Sequence, residues 1–117
     1  MEIKISTRKF AILFPVDEDA VPWHHRVYGQ QPDRQTSVLV YILARDNRWY
    51  QQGDVEFKGL IWQAHLQFGV ENVPHGAEYK VVALIPDSRF KNTDPGSSIG
   101  EIPIDLQQTE VITVIRD

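Results

Sequence analysis

The side chains of this sequence that could do chemistry include four histidines. His24 and His25 are adjacent and follow Trp23, whereas His65 and His75 lie far along the chain. Adjacent residues of a strand point to opposite faces, so only one of the pair can meet another histidine. Zinc needs three or four converging ligands, and the chain contains no cysteine. We therefore expect solvent-facing or hydrogen-bonded histidines and no metal site.

The acidic and hydroxyl side chains also fall short of a catalytic pattern. Asp17, Glu18 and Asp19 share one turn, but they lack the D-x-D-x-D-G spacing of a calcium loop, so we expect a solvated turn. The serines occur in no G-x-S-x-G motif, and no glycine-rich phosphate loop precedes a helix. We expect a protein that is not an enzyme, with no catalytic residue and no cofactor.

Composition narrows the classes of partner. The chain has 117 residues and a net charge of -4, with acids and bases interspersed. Without a basic stripe to neutralise phosphates, we expect no nucleic-acid partner. The length predicts a single domain over residues 1–117. The longest apolar run near the N-terminus, residues 10–16, is interrupted by Pro15, and no stretch approaches ~20 apolar residues. We expect a cytoplasmic chain with no membrane insertion.

Hydrophobic residues recur with a period of two along most of the chain, which is typical of strands. The clearest case is "LIWQAHLQF", residues 60–68. One face of this strand carries Trp62, Ala64, Leu66 and Phe68, and the other carries Ile61, Gln63, His65 and Gln67. Trp62 is therefore predicted to lie in the core. The continuous apolar run "SVLVYILA", residues 37–44, predicts a central strand covered on both faces.

Turn residues separate these runs, and no window shows a helical period. "EIKIS", "KFAILF", "EYKVVALIP" and "EVITVIR" supply further strand patterns, and in "KFAILF" the alternation places Phe10, Ile12 and Phe14 on one face. The sequence predicts an all-β protein, an antiparallel sandwich or barrel of about seven or eight strands. A long loop at about 87–103, beginning "DSRFKNTDPGSSIGE", precedes the last strand. Loops of that length usually have a function or are disordered.

The order of these features resembles that of small immunoglobulin-like (Ig-like) β-sandwich accessory domains of uncharacterised bacterial proteins. The resemblance covers about residues 10–117. It rests on "ILFPVDEDAV", "HRVYGQ", "VLVYILARDNRWYQQG", "KGLIWQAHLQFG", "PHGAEYKVVALI" and "IPIDLQQTEVITVIRD". The chain departs from the pattern at Glu18, where a turn glycine is usual, and at Leu60 and Ile61, which separate Gly59 from Trp62. The resemblance implies an Ig-like antiparallel sandwich that serves as a recognition or spacer module, with no catalytic role.

Five aromatic residues are candidates for contact with a ligand or partner: Trp23, Tyr28, Trp49, Tyr50 and Phe90. Trp49 and Tyr50 are adjacent, so they point to opposite sides of any strand that holds them. The polar residues around this pair predict a short edge strand with one of the two rings exposed. Phe90 lies in the long loop and marks a second patch.

We expect a non-catalytic module that binds another protein through its loop tips or one sheet face. A carbohydrate-binding module is the first alternative. It requires coplanar exposed aromatic rings with amide or acid neighbours, for which Gln51, Gln52 and Asp54 are candidates. The second alternative is a structural spacer, or a homo-oligomer formed through an unpaired strand such as 48–52 or 2–6.

Overall fold

A computed structural model describes residues 10–31, 37–88, 90 and 94–117. These residues form eleven strands and no helix. The strands are β1 (Ala11–Phe14), β2 (Asp19–Val21), β3 (His24–Gln30), β4 (Leu39–Leu43), β5 (Trp49–Gln51), β6 (Val55–Lys58), β7 (Ile61–Gln67), β8 (Glu78–Ile85), β9 (Ser98–Ile99), β10 (Gln107–Gln108) and β11 (Ile112–Arg116). The all-β prediction is confirmed. More strands form than expected because β2, β9 and β10 have only two or three residues, too few to show a period in the sequence.

The strands form two sheets that pack against each other. A four-stranded sheet has the order β1-β3-β7-β6. A seven-stranded sheet has the order β2-β11-β8-β4-β5-β9, with β10 also paired to β8. The β2–β11 pair is parallel, and every other pair between described strands is antiparallel. No helix in the described ranges has the length and apolar character needed to cross a membrane.

The main core lies between the two sheets. Val27, Ala64 and Leu66 enter it from the four-stranded sheet, and Val40 and Val81 enter it from the seven-stranded sheet. The alternation in residues 60–68 is confirmed, because its four predicted core residues are all buried. The sequence pattern of this strand therefore fixes which face of the four-stranded sheet points outward.

Trp62 is the largest fully buried side chain of this core. It stands opposite Gly29 on the neighbouring strand, and a methyl group at Gly29 would lie 2.0 Å from two carbons of the indole ring. Gly29 is thus required by close packing: the indole lies directly over its backbone. The indole N–H has no hydrogen-bond partner among the described residues.

A second hydrophobic cluster covers the outer face of the seven-stranded sheet. Tyr41, Val82 and Leu84 point outward from β4 and β8 and are nonetheless fully buried. They lie beneath residues of the chain between β8 and β10; these covering residues are Phe90, Ile99, Ile102 and Leu106. We call this outer face the covered face. The prediction that β4 is central and covered on both sides is confirmed.

Two sequence expectations about strands fail. Residues 48–52 were expected at an edge, but β5 lies between β4 and β9, because Ser98 and Ile99 return to pair with it. The pattern in "KFAILF" placed Phe14 on the same face as the buried Phe10. A register shift between Ile12 and Phe14 breaks that alternation, and Phe14 is exposed. The expected strand "EIKIS" lies outside the described residues.

Arg116 is a buried cation near the C-terminal end of β11. Its guanidinium donates hydrogen bonds to the carbonyl oxygens of Phe68, Val70 and Glu71 at 2.7, 2.8 and 3.0 Å. These contacts tie the loop after β7 to the opposite sheet. The charge therefore has a structural role that the sequence pattern did not reveal.

Candidate functional site

The outer face of β3, β7 and β6 carries neighbouring polar and aromatic side chains that are accessible to solvent. Residues opposite each other in these ladders share a face. We call this surface the open face. It consists of His24, Arg26, Tyr28, Glu56, Lys58, Ile61, Gln63, His65 and Gln67. All of these side chains are exposed except that of Gln63, which is half-buried among its neighbours.

A hydrogen-bonded chain of three side chains crosses the middle of the open face. Arg26 Nη1 donates to Gln63 Oε1 at 3.2 Å, and Gln63 Nε2 donates to Glu56 Oε1 at 3.0 Å. Gln63 stands opposite Tyr28 on one side and opposite Glu56 on the other. The amide is thus oriented by both neighbours. The chain presents charged groups of both signs in a fixed arrangement across three strands.

Tyr28 borders a depression of about 330 Å³ on the same face. The depression is lined by Tyr28, Glu56, Lys58, Ile61 and Gln63. A smaller and more polar depression of about 190 Å³ follows beside Arg26 and His65. An exposed tyrosine and isoleucine next to oriented amide and charged groups can provide apolar contact together with specific hydrogen bonds.

Aromatic rings follow one another at the other end of β3. The rings of Trp23 and His24 lie 4.3 Å apart at an interplanar angle of 51°, and those of His24 and His65 lie 5.2 Å apart at 84°. The Trp23 indole N–H donates to the carbonyl oxygen of Gly69 at 3.2 Å, which holds the half-buried ring against the loop after β7. These rings are tilted or edge-on to one another and do not form a flat platform.

The sequence did not show which of the two adjacent histidines meets another histidine; in the structure His24 lies beside His65. Two imidazoles fall short of the three or four ligands that zinc takes in proteins. Within the described part of the chain, no group of three or more His, Cys, Asp or Glu side chains is placed to hold a metal ion. The pair is part of the open face.

Exposed apolar side chains concentrate on the four-stranded sheet. Leu13 and Phe14 of β1, Tyr28 of β3, Phe57 of β6 and Ile61 of β7 are each between 39% and 45% exposed. Ile61 lines the same depression as Tyr28, whereas the Phe14 ring packs edge-on against His25, with ring centroids 5.4 Å apart. The covered face of the other sheet has its large apolar side chains packed beneath Phe90, Ile99, Ile102 and Leu106.

The remaining predicted contact residues lie on the other sheet and are not gathered with Trp23 and Tyr28. Trp49 packs into the cluster of the covered face, and the Phe90 ring lies 6.4 Å from the Tyr41 ring in the same cluster. Gln51, expected to flank a sugar platform, is buried and accepts a hydrogen bond from the Tyr41 hydroxyl at 3.1 Å.

Tyr50 points to the opposite side of β5 from Trp49, as adjacent strand residues must. Both side chains are half-buried, so neither is the freely exposed ring that the sequence suggested. The Tyr50 hydroxyl donates a hydrogen bond to the Asp46 carboxylate. This bond raises the pKa of Tyr50 and lowers the pKa of Asp46. Tyr50 is therefore held in a local turn contact, away from the open face.

Arg26, Glu56 and Gln63, which form the hydrogen-bonded chain, are among the open-face residues that were not selected from the sequence as contacts. The alternation in residues 60–68 already placed Gln63 on the polar side of its strand. It gave no indication of which residues of β3 would lie beside Gln63, because the β3–β7 register joins segments distant in sequence, and Glu56 is placed beside Gln63 by the short turn between β6 and β7. Comparison of the chain with protein-family models, with curated proteins and with solved structures finds no match in any of the three.

Proposed function

We propose that this protein is a non-catalytic, Ig-like β-sandwich module that binds another protein through the open face. The observation that carries the proposal is the contrast between the two outer faces. The outer face of the seven-stranded sheet is covered by other residues of the protein. The four-stranded sheet exposes Tyr28 and Ile61 beside the hydrogen-bonded side chains of Arg26, Gln63 and Glu56. Tyrosine and arginine are enriched in protein interfaces, and clustered exposed apolar groups mark such sites.

The strand order supports the Ig-like part of the proposal. In that fold one sheet has the order A-B-E-D and the other contains G, F and C, with C′ added beside C in variable-type domains. Strands β1, β3, β7 and β6 occupy the places of A, B, E and D, and β11, β8, β4 and β5 occupy those of G, F, C and C′. Tyr79, buried near the start of β8, corresponds to the tyrosine near the start of strand F. The chain departs from antibody domains in having no cysteine for the disulfide between sheets.

The geometry favours a protein over a carbohydrate as the partner. A sugar platform requires coplanar exposed rings, whereas Trp49 and Tyr50 lie on opposite sides of β5 and the Trp23 and His24 rings are tilted by 51°. The residues that line the depression beside Tyr28 include a single aromatic ring. Opposite charges aligned across strands are suited to a broad partner surface with its own charges.

The test compares two double variants that remove equal numbers of exposed apolar side chains. Tyr28→Ala with Ile61→Ser changes the open face, and Ile104→Ser with Val111→Ser changes exposed residues outside it. The immobilised proteins are used to capture partners from lysate of the source cell. A photo-crosslinking amino acid at position 28 or 104 then identifies direct contacts. We expect a protein partner held by the native chain and the control, and weakened about tenfold or more by the open-face variant.

The alternatives predict other results. Crosslinks from position 104 but not from position 28 would place the interface at the loop tip and overturn the open-face assignment. Binding to a glycan array that is lost with Tyr28→Ala would replace the protein partner with a carbohydrate. No capture by any of the proteins, and no glycan binding, would leave the spacer function and refute the proposal.

A further inference from the structure

Strand β6 forms one end of the four-stranded sheet. Among the described residues it pairs with β7 alone. It is joined to β7 by the two-residue turn Gly59–Leu60, in which Gly59 has φ of +63°. A positive φ at the first central residue is the pattern of a type II′ hairpin turn, which needs glycine at that position. The turn fixes the register of β6 and therefore fixes which of its groups point outward.

The backbone of Phe57 points away from the sheet. Residues that flank a two-residue turn exchange hydrogen bonds, so Lys58 bonds to Ile61 and, by alternation, Glu56 bonds to Gln63. The bond from Gln31 N–H to the Leu60 carbonyl oxygen, at 2.9 Å, agrees with this alternation because it directs Leu60 toward β3. The N–H and C=O groups of Phe57 therefore face outward, where a further strand can pair with them.

The side chains of β6 are complementary to a second copy of themselves. When two copies of the segment Glu56–Phe57–Lys58 run antiparallel about a two-fold axis at Phe57, each Glu56 stands opposite the partner's Lys58. The two outward-facing Phe57 backbones then exchange hydrogen bonds, and the two exposed phenylalanine rings meet on the core side. A two-fold axis centred on Glu56 would instead place two carboxylates opposite each other, which is unfavourable.

We infer that β6 is a self-association edge, through which two copies of this chain pair antiparallel about Phe57 to form a continuous eight-stranded sheet. This inference goes beyond the proposed binding function and does not depend on it. The interface is isologous, so every contact occurs twice. Pairing through a four-residue strand buries a small area, so we expect a weak dimer with a dissociation constant roughly in the micromolar range or above.

Charge reversal tests both the dimer and its register. Sedimentation equilibrium is measured for the native chain from about 5 to 500 µM, a range that spans weak association. In the proposed register, Glu56→Lys places lysines opposite each other, and Lys58→Glu places glutamates opposite each other. We expect each single variant to weaken association by about tenfold or more, because two attractive pairs become repulsive. The double variant Glu56→Lys with Lys58→Glu restores the pairs and should restore the dimer.

Glu110→Lys is the control, since it changes the net charge as Glu56→Lys does at an exposed residue outside β6. Its association should match that of the native chain, and urea unfolding checks that each variant is folded. A mass that stays monomeric throughout the range would overturn the inference. So would a dimer that persists in both single variants, or one that the double variant fails to restore. A Phe57→Pro variant, which lacks the outward N–H, should also be monomeric.

Discussion

Tyr28 and Tyr41 are the same residue type in matching places: each points outward from an interior strand of its own sheet. Tyr28 is 39% exposed, whereas Tyr41 is completely buried. The difference arises from the chain between β8 and β10, whose apolar residues fold over Tyr41. An outward-facing position in a sheet therefore has no fixed environment. Whether it serves stability or recognition depends on segments far away in the sequence.

The two outer faces thus differ in whether their aromatic residues hold the fold together or remain exposed. Trp49 and Phe90 looked like contact residues because each lies in polar sequence. Both pack on the covered face with Tyr41 and have become part of a second core. Tyr28 lies beside Gln63 and Ile61 with its ring still accessible to a partner. The open face is thus the better candidate for recognition.

Truncating the two tyrosines should give the largest difference. Tyr41→Ala removes a fully buried ring from the covered face and should lower the free energy of unfolding by about 3 to 5 kcal/mol. Tyr28→Ala should lower it by less than about 1 kcal/mol, because much of that ring is already in water. Urea unfolding followed by circular dichroism measures both. Equal losses would show that the two faces do not differ as described.

The covering residues permit a comparison within one short stretch of chain. Leu106 is 7% exposed and packs on Tyr41 and Leu84, whereas Ile104 is 94% exposed. Leu106→Ala should cost about 2 to 4 kcal/mol of unfolding free energy, and Ile104→Ala should stay within about 0.5 kcal/mol. Thermal and urea unfolding test this. A Leu106→Ala protein as stable as the native chain would mean that the cover contributes little to the fold.

Strongly patterned strands could be predicted from the sequence, and short or irregular ones could not. The alternation around Trp62 identified the core face of β7, and the continuous run 37–44 identified β4 as covered on both faces. The covering residues lie in or just after the stretch 87–103, which the sequence predicts to be a long loop. The apolar residues Ile99, Ile102 and Leu106 are spaced irregularly, and their burial depends on Tyr41, which is distant in sequence.

The candidate site, likewise, could be predicted only in part from the sequence. Tyr28 and Trp23 were selected as aromatic residues just before or within a predicted strand, and both lie on or beside the open face. The chain Arg26–Gln63–Glu56 joins three strands, and its members come together only when the register of β3, β7 and β6 is known. The sequence showed which side of β7 was polar; the ladder shows which polar residues are neighbours.

The smallest effect that sharpens the comparison is a dependence of stability on pH. Burial raises the pKa of Tyr41 from 10.0 to about 12. The folded protein thus keeps a proton that the unfolded chain releases above pH 10. The contribution of the protonated Tyr41 to the free energy of unfolding is therefore complete below pH 10 and is lost as pH rises toward 12. The loss is about 1.4 kcal/mol for each pH unit in this window. Tyr41→Phe loses the bond to Gln51, costing about 1 kcal/mol at neutral pH, but it has no proton to release. Urea unfolding between pH 8 and 11.5 should therefore show the native chain more stable than Tyr41→Phe at the lower pH values and less stable at the highest. Free energies of unfolding that change in parallel with pH in the two proteins would contradict a buried, covered Tyr41.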